Sequence, residues 1–271
     1  MIVKQIFNPP NWFTSASLFC GLYAILLSGQ ANGDPDLFYK AGLMVFFAGL
    51  FDMLDGRVAR MTGTGSAFGV QLDSLVDIIS FGVAPACMVY FWAFAPFGMA
   101  GVVLSGLLML AGAFRLARFN VLADGKAHAT SMGLTITMGG GTVAAWVMWH
   151  AGAGHAAPES PGLVAALVVL ISVLEVSEVP YRTMKTFRLS PRTMALLVLI
   201  GGVCLTVGAV YDISYVLMPL GVLHVVSGPV ESLLGWPRRR KGRRAERAAE
   251  RARRRGQAPP PGESGGPPEA G

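Results

Sequence analysis

Two apolar segments of membrane-spanning length, about Leu37 to Arg60 and about Gly69 to Trp92, meet at a stretch that carries four aspartates. That stretch, Phe51 to Ser80, reads FDMLDGRVARMTGTGSAFGVQLDSLVDIIS. A helix needs about 20 apolar residues to cross a bilayer, and an ionisable group within such a segment is costly and marks a function by default. Asp52 and Asp55 are spaced i, i+3, and Asp73 and Asp77 i, i+4, so each pair shares one face of its helix. Two helices crossing here aim all four carboxylates at one point. Converging carboxylates repel until a proton or cation intervenes. With no His or Cys nearby in sequence, the donor set is all oxygen and suits Mg²⁺ or Mn²⁺ better than zinc.

The rest of the chain agrees with a membrane setting. Of 271 residues, 53% are hydrophobic and 14% charged, which points to a polytopic membrane protein and away from a soluble core. Cys20, Cys87 and Cys204 lie scattered in apolar segments without metal-binding spacing, so they read as small buried hydrophobes. The N-terminus lacks the basic region and cleavage site of a signal peptide, and its first apolar stretch is expected to stay as a membrane helix.

In order, residues 1–11 form a short interfacial lead, which Pro9 and Pro10 break before the first helix. Asn11 or Thr14 is a candidate cap for that helix, which runs to about Ser28. After the two segments above come helices at about Met99 to Phe119, Met132 to Ala151, Gly162 to Ser177, Thr193 to Val210 and Tyr215 to Leu234. The fold expected is an all-α integral membrane protein of about eight transmembrane helices over residues 12–236. The last helix holds Gly228 and Pro229, tolerable only where neighbours satisfy the freed backbone. The connections at Gln30 to Asp36, Gly152 to Pro161 and around Asp212 contain no Lys or Arg. The alternate ones hold Arg57 and Arg60, then Arg115, Arg118 and Lys126, then Arg182, Lys185, Arg188 and Arg192. The positive-inside rule places these, both termini and the acidic stretch on the cytoplasmic side of the cell membrane.

Residues 237–271 form a tail. Of the 22 Lys and Arg residues in the chain, 11 follow residue 237, and the final stretch is rich in Pro and Gly and is expected to be disordered. A basic cluster directly after a membrane helix suits anionic lipid headgroups; nucleic acid is not expected as a partner. There is no convincing internal repeat.

The fixed positions Asp52-x-x-Asp55-Gly56-x-x-Ala59-Arg60, eight residues, Gly69-x-x-x-Asp73-x-x-x-Asp77 resemble the signature of the CDP-alcohol phosphatidyltransferase family. The resemblance implies a six-helix core, here with two further helices, and a polar active site at the cytoplasmic interface. It implies displacement of CMP from a CDP-linked lipid by an alcohol. It assigns two divalent ions to Asp52, Asp55, Asp73 and Asp77, with Asp77 also the candidate general base. It places the CDP-lipid near Gly56, Ala59, Arg60 and Gly69, and near Asn11, Thr14 and Gly21 of the first helix. Helix capping explains Asn11 or Thr14 equally well, and ordinary packing explains each small residue taken alone.

NWFTSASLFCG, AFRLARFNV and VPYRTMKTFRL resemble the bacterial phosphatidylserine synthase branch, over roughly residues 9–190. That resemblance implies CDP-diacylglycerol as donor and L-serine as acceptor. Arg115 and Arg118, spaced i, i+3, are candidates for the acceptor's carboxylate, with positive-inside anchoring as the plainer account. The branch commonly has Gly-Leu-Pro-x-Pro where this chain has Gly133-Leu134-Thr135-Ile136-Thr137. Other acceptors, such as glycerol 3-phosphate, inositol phosphate or choline, share the catalytic motif. A cation transporter is the alternative from another class, although Arg60 beside the acids opposes it. A homodimer is compatible with the sequence, which does not determine the oligomeric state.

Overall fold

The computed structural model describes residues 8–122, 130–182, 206, 208 and 210–232. The lead over residues 1–7, most of the helix expected at 193–210, the basic positions Lys126, Lys185, Arg188 and Arg192, and the tail from 237 lie outside the described residues. The chain divides into two compact units, Met1–Pro229 and Val230–Gly271, and all but three of the described residues belong to the first.

Helix α1 spans Pro9–Gln30 and α2 spans Pro35–Thr62. The next helix, α3, is continuous over Ala67–Phe97, α4 spans Met99–Leu122, α5 Ile136–Gly152 and α6 Pro161–Val176. A last helix, α7, covers 214–232. Four helices among the described residues, α1 to α4, are long and apolar enough to cross a membrane, and α6 is a shorter apolar helix. The described chain is helical except for a three-residue antiparallel ribbon, β1 (Thr130–Met132) against β2 (Pro180–Arg182), which an all-α reading does not include.

The prolines at the start behave otherwise than the sequence suggests. Pro9 and Pro10 open α1 instead of breaking the chain ahead of it. Proline suits the first helical positions because its missing N–H would have no partner there and its φ is already helical. The N-cap is therefore Asn8, and Asn11 and Thr14 lie inside the helix, not at its cap.

Between α2 and α3 the chain turns within four residues. Gly63 ends α2 with φ 66°, a left-handed conformation that glycine adopts without a Cβ clash. Ser66 then caps α3, its hydroxyl accepting the Gly69 N–H at 3.0 Å. Asn8 donates to the Thr64 carbonyl at 3.0 Å, which ties the head of α1 to this turn.

Close helix approach depends on missing side chains. A Cβ on Gly21 of α1 would lie 2.6 Å from Ser80 Oγ of α3, and the Ser80 hydroxyl donates to the Ser17 carbonyl at 3.1 Å. A Cβ on Gly42 would run into Met148, and one on Gly140 into the Phe81 carbonyl. Helices α2 and α3 thereby both pack on α5. Small residues at such seams let backbones meet where apolar lipid provides no hydrophobic drive. Around this contact lies a core of Phe38, Val45, Phe81, Met88, Ile136, Val143 and Ile171.

Gly228 and Pro229 do not interrupt α7. Proline cannot donate to the carbonyl four residues back, which here is Val225. The Tyr181 hydroxyl of β2 donates to that carbonyl at 3.1 Å, and Gly228 leaves room for the tyrosine ring. The freed acceptor is thus satisfied by a neighbour.

Candidate active site

The C-terminal half of α2 and the first turns of α3 bring the acids together. One carboxylate oxygen from each of Asp52, Asp55 and Asp73 lies within 4.8 Å of the others. Asp77, one turn beyond Asp73, approaches Asp52 closely enough for their carboxyl groups to hydrogen bond, and Asp52 meets Asp73 in the same way. Asp55 is buried, and Asp52, Asp73 and Asp77 are half-buried. Like charges so close cannot remain bare: they share protons or enclose a cation.

The donor set is suited to the second option. It offers carboxylate oxygens from four residues and no sulfur or imidazole, which is hard-cation chemistry. Asp77 Oδ1 is buried and has no hydrogen-bond partner among the described residues, so one acceptor stands open at the edge of the cluster. The residues therefore fit Mg²⁺ or Mn²⁺.

Helix α1 forms the third wall. Thr14 Oγ1 lies 2.7 Å from Asp55 Oδ2 and 3.2 Å from the Pro10 carbonyl oxygen. A hydroxyl has one proton to give, and the shorter bond to the charged acceptor takes it. Thr14 therefore orients a carboxylate of the cluster, and the capping account of this residue falls away with its position inside α1. Asn11, one turn earlier, places its Oδ1 above Gly69, where an added Cβ would come within 3.3 Å.

A cavity of about 130 Å³ opens beside the acids. Its lining includes Asn11, Thr14, Asp55, Gly56, Ala59, Gly69 and Asp73. Of the residues expected near the donor, only Arg60 and Gly21 are absent from this wall. Arg60 is exposed on α2, with its Nη1 3.4 Å from where a Gly56 Cβ would stand. Gly21 sits two turns deeper against Ser80. Pro10, Thr64, Gly65, Ser66 and Val70 also line the cavity and were not singled out from sequence. The Gly-Thr-Gly-Ser string that contributes three of them carried a turn signal but no chemical one.

Immediately after Asp77 the helix widens into a π-helical turn, Ile78–Val83. Such turns are frequent at functional sites because they redirect side chains on either side. From α4, Asn120 donates to Ser74 Oγ at 3.1 Å, fixing the end of that helix beside the acid-bearing turn.

The two candidate acceptor arginines are not equivalent. Arg115 is buried at 7% exposure and interacts electrostatically with Glu175 and Asp77. Arg118 is half-buried, and its guanidinium donates to the carbonyls of Val176 (2.8 Å), Ser177 (3.2 Å) and Met132 (3.3 Å). It latches α4 to the end of α6 and to β1. Thr135, at the first proline position of the family pattern, accepts the Met138 N–H at 3.3 Å and caps α5. A hydroxyl cap thus starts the helix where a proline would otherwise do so.

Comparison with known proteins follows the same lines. A family model described as CDP-alcohol phosphatidyltransferase matches residues 7–226. The chain is similar to a CDP-diacylglycerol–serine O-phosphatidyltransferase of Helicobacter pylori, 34% identical over 185 residues, 68% of this chain and 76% of that protein. It is 35% identical over 176 residues to an archaetidylserine synthase of Methanothermobacter thermautotrophicus, 64% of this chain and 68% of that one. A CDP-diacylglycerol–serine O-phosphatidyltransferase of Mycobacterium tuberculosis is 27% identical over 225 residues, 80% of this chain and 76% of that protein.

The Thr14 bond yields a direct test. Thr14→Val keeps the shape and removes the donor, and Mn²⁺ affinity, read by electron paramagnetic resonance in detergent, is expected to fall about tenfold or more. Thr14→Ser should retain most of it. Equal affinity in the valine variant would mean that the bond does not orient Asp55.

Proposed function

The chain belongs to the CDP-alcohol phosphatidyltransferase family, and from that premise we propose that it transfers a phosphatidyl group from CDP-diacylglycerol to the hydroxyl of L-serine, giving phosphatidylserine and CMP. The observation that carries this reading is the continuity of the acid cluster with the cavity that Asn11, Thr14, Gly56, Ala59 and Gly69 line. Serine as acceptor is supported by the names of the relatives above.

In this reading the small residues of the cavity seat the cytidine end of the donor, and Arg60 meets its phosphate. Asp52, Asp55, Asp73 and Asp77 would hold two divalent ions, Mg²⁺ or Mn²⁺, which would supply charge to neutralise the pyrophosphate and polarise its oxygens. The buried Asp77 Oδ1 accepts the proton of the serine hydroxyl as that oxygen bonds to the phosphatidyl phosphorus. The bond to CMP breaks, and CMP carries its electron pair away. Arg115 meets the serine carboxylate. Arg118 contributes to the same subsite less directly, through the helix ends that it ties together.

We also propose eight spans with both termini and the acid cluster on the cytoplasmic side of the cell membrane. The alternation of basic and base-free connections supports this orientation, and the water-soluble acceptor and CMP would then enter and leave on that side. The tail would rest on anionic headgroups.

With CDP-diacylglycerol and Mn²⁺ supplied, labelled L-serine is expected to enter chloroform-soluble lipid, with incorporation abolished by EDTA and restored by metal. Label entering from glycerol 3-phosphate or inositol phosphate and not from serine would overturn the acceptor alone. Full activity after chelation would remove the metal from the scheme.

Asp77→Asn is expected to retain measurable CDP-lipid binding while turnover drops about 100-fold or more, the usual contribution of a positioned base. Near-native turnover would transfer the base role to another group.

Orientation is checked by thiol labelling of intact cells. Single cysteines at 152–160 should react with an impermeant reagent from outside, and those at 182–192 should stay protected. The opposite pattern inverts the topology.

A further inference from the structure

Asn8 stands at the N-cap of α1, where an asparagine side chain ordinarily accepts the N–H of the second or third helical residue. Here it makes no such bond. Pro9 and Pro10 hold the first two helical positions and carry no N–H, and the Asn11 N–H donates to the Asn8 carbonyl at 3.0 Å. The side chain is therefore released from capping its own helix. Its amide donates instead to the Thr64 carbonyl at 3.0 Å, 56 residues further along the chain.

Thr64 sits between Gly63 and Gly65 in the turn that joins α2 to α3. A Cβ added at either glycine would meet nothing within 4 Å, so packing does little to hold the backbone there. Glycine itself allows the widest range of φ and ψ. The hydroxyls of the turn bond locally, Thr64 Oγ1 with Thr62 Oγ1 at 2.6 Å and Ser66 Oγ with the Gly69 N–H at 3.0 Å. Yet this turn is part of the cavity beside the acids. It contributes Thr64, Gly65 and Ser66 to the wall, while α1 contributes Pro10, Asn11 and Thr14. Asn8 joins these two contributions, which a residue that only started α1 would not do.

We propose that Asn8 is a positioning residue for the donor: by holding the Thr64 carbonyl it fixes the turn against α1 and keeps the cavity at the width that the cytidine end of CDP-diacylglycerol needs. The inference rests on the donor half of the reading above and is independent of which alcohol accepts the phosphatidyl group. Asn8 is outside the fixed positions of the family signature and does not line the cavity, so it acts through the turn.

The test uses the full chain in detergent with CDP-diacylglycerol, L-serine and Mn²⁺. Were L-serine not accepted, the alcohol that is accepted takes its place. Transfer by the unaltered protein checks the underlying reading, and no transfer to any alcohol removes that reading and the inference with it. The variants check the inference alone. Serine caps a helix as well as asparagine does, but its neutral hydroxyl is too short to reach the Thr64 carbonyl, so Asn8→Ser separates capping from tethering. It is expected to raise the KM for CDP-diacylglycerol about five- to tenfold, the size of one lost hydrogen bond. The acceptor KM and the Mn²⁺ affinity should stay within about twofold. Asn8→Gln retains an amide donor one methylene further out and should show a smaller rise. Should Asn8→Ser not accumulate, Asn8→Thr, also a neutral cap, carries the same expectation. A donor KM within about twofold of the unaltered protein in Asn8→Ser overturns the proposal, since capping alone would then account for Asn8. So does an equal rise in the acceptor KM, because the change would then reach the site as a whole.

Discussion

Mutual repulsion among Asp52, Asp55, Asp73 and Asp77 is the constraint that the surrounding structure is arranged to contain. Three of these groups place oxygens within 4.8 Å of each other, and the fourth is within hydrogen-bonding reach of the first. Without a cation or shared protons, that proximity favours separation of α2 from α3. What opposes separation is local and specific. The four-residue turn capped by Ser66 keeps the helices joined, and Thr14 reaches across from α1 to one of the acids. Asn120 secures the acid-bearing turn from the α4 side. A divalent ion held there would turn the same repulsion into attraction.

Packing around the acids uses absence of bulk in place of hydrophobic attraction. Gly21, Gly42 and Gly140 let α1, α2, α3 and α5 approach closely, while Gly112 makes space for Ile136 and Gly139 for Glu175. A Leu or Val at these points would hold the helices apart and carry the acid-bearing turns away from one another. Glycine costs helix stability in water, about 1 kcal/mol relative to alanine, but in a membrane bundle the loss is offset by closer van der Waals contact. The π-helical turn after Asp77 belongs to the same arrangement: it lets Ser80 face Gly21 while Asp77 and Asp73, one and two turns earlier, still face α2.

Buried charge appears in two places with different consequences. At the aspartates it is concentrated, half-exposed and next to a cavity, which is the arrangement of a ligand site. At Glu175 it is solitary and sealed. Arg115, buried on α4, interacts electrostatically with both Glu175 and Asp77.

The sequence by itself determined the acids, their spacing, the membrane character and the family, because those depend on residue identity and on periods of three and four along one helix. Asn11, Thr14, Gly56, Ala59 and Gly69 were also legible as a set, through the family signature, and they line one cavity. Only the tertiary structure decided whether Thr14 capped a helix or bound an acid. That depended on Pro9 and Pro10 beginning α1 one turn earlier, which moved the residue from the helix end to the helix face. It also decided that Arg118 latches three carbonyls while its neighbour Arg115 turns inward, a distinction that identical i, i+3 spacing cannot contain. Tyr181 satisfying the carbonyl freed by Pro229, and Glu175 resting against Gly139, join residues far apart in the chain. Local pattern governs which face a side chain occupies; what that face meets is set by how the helices pack.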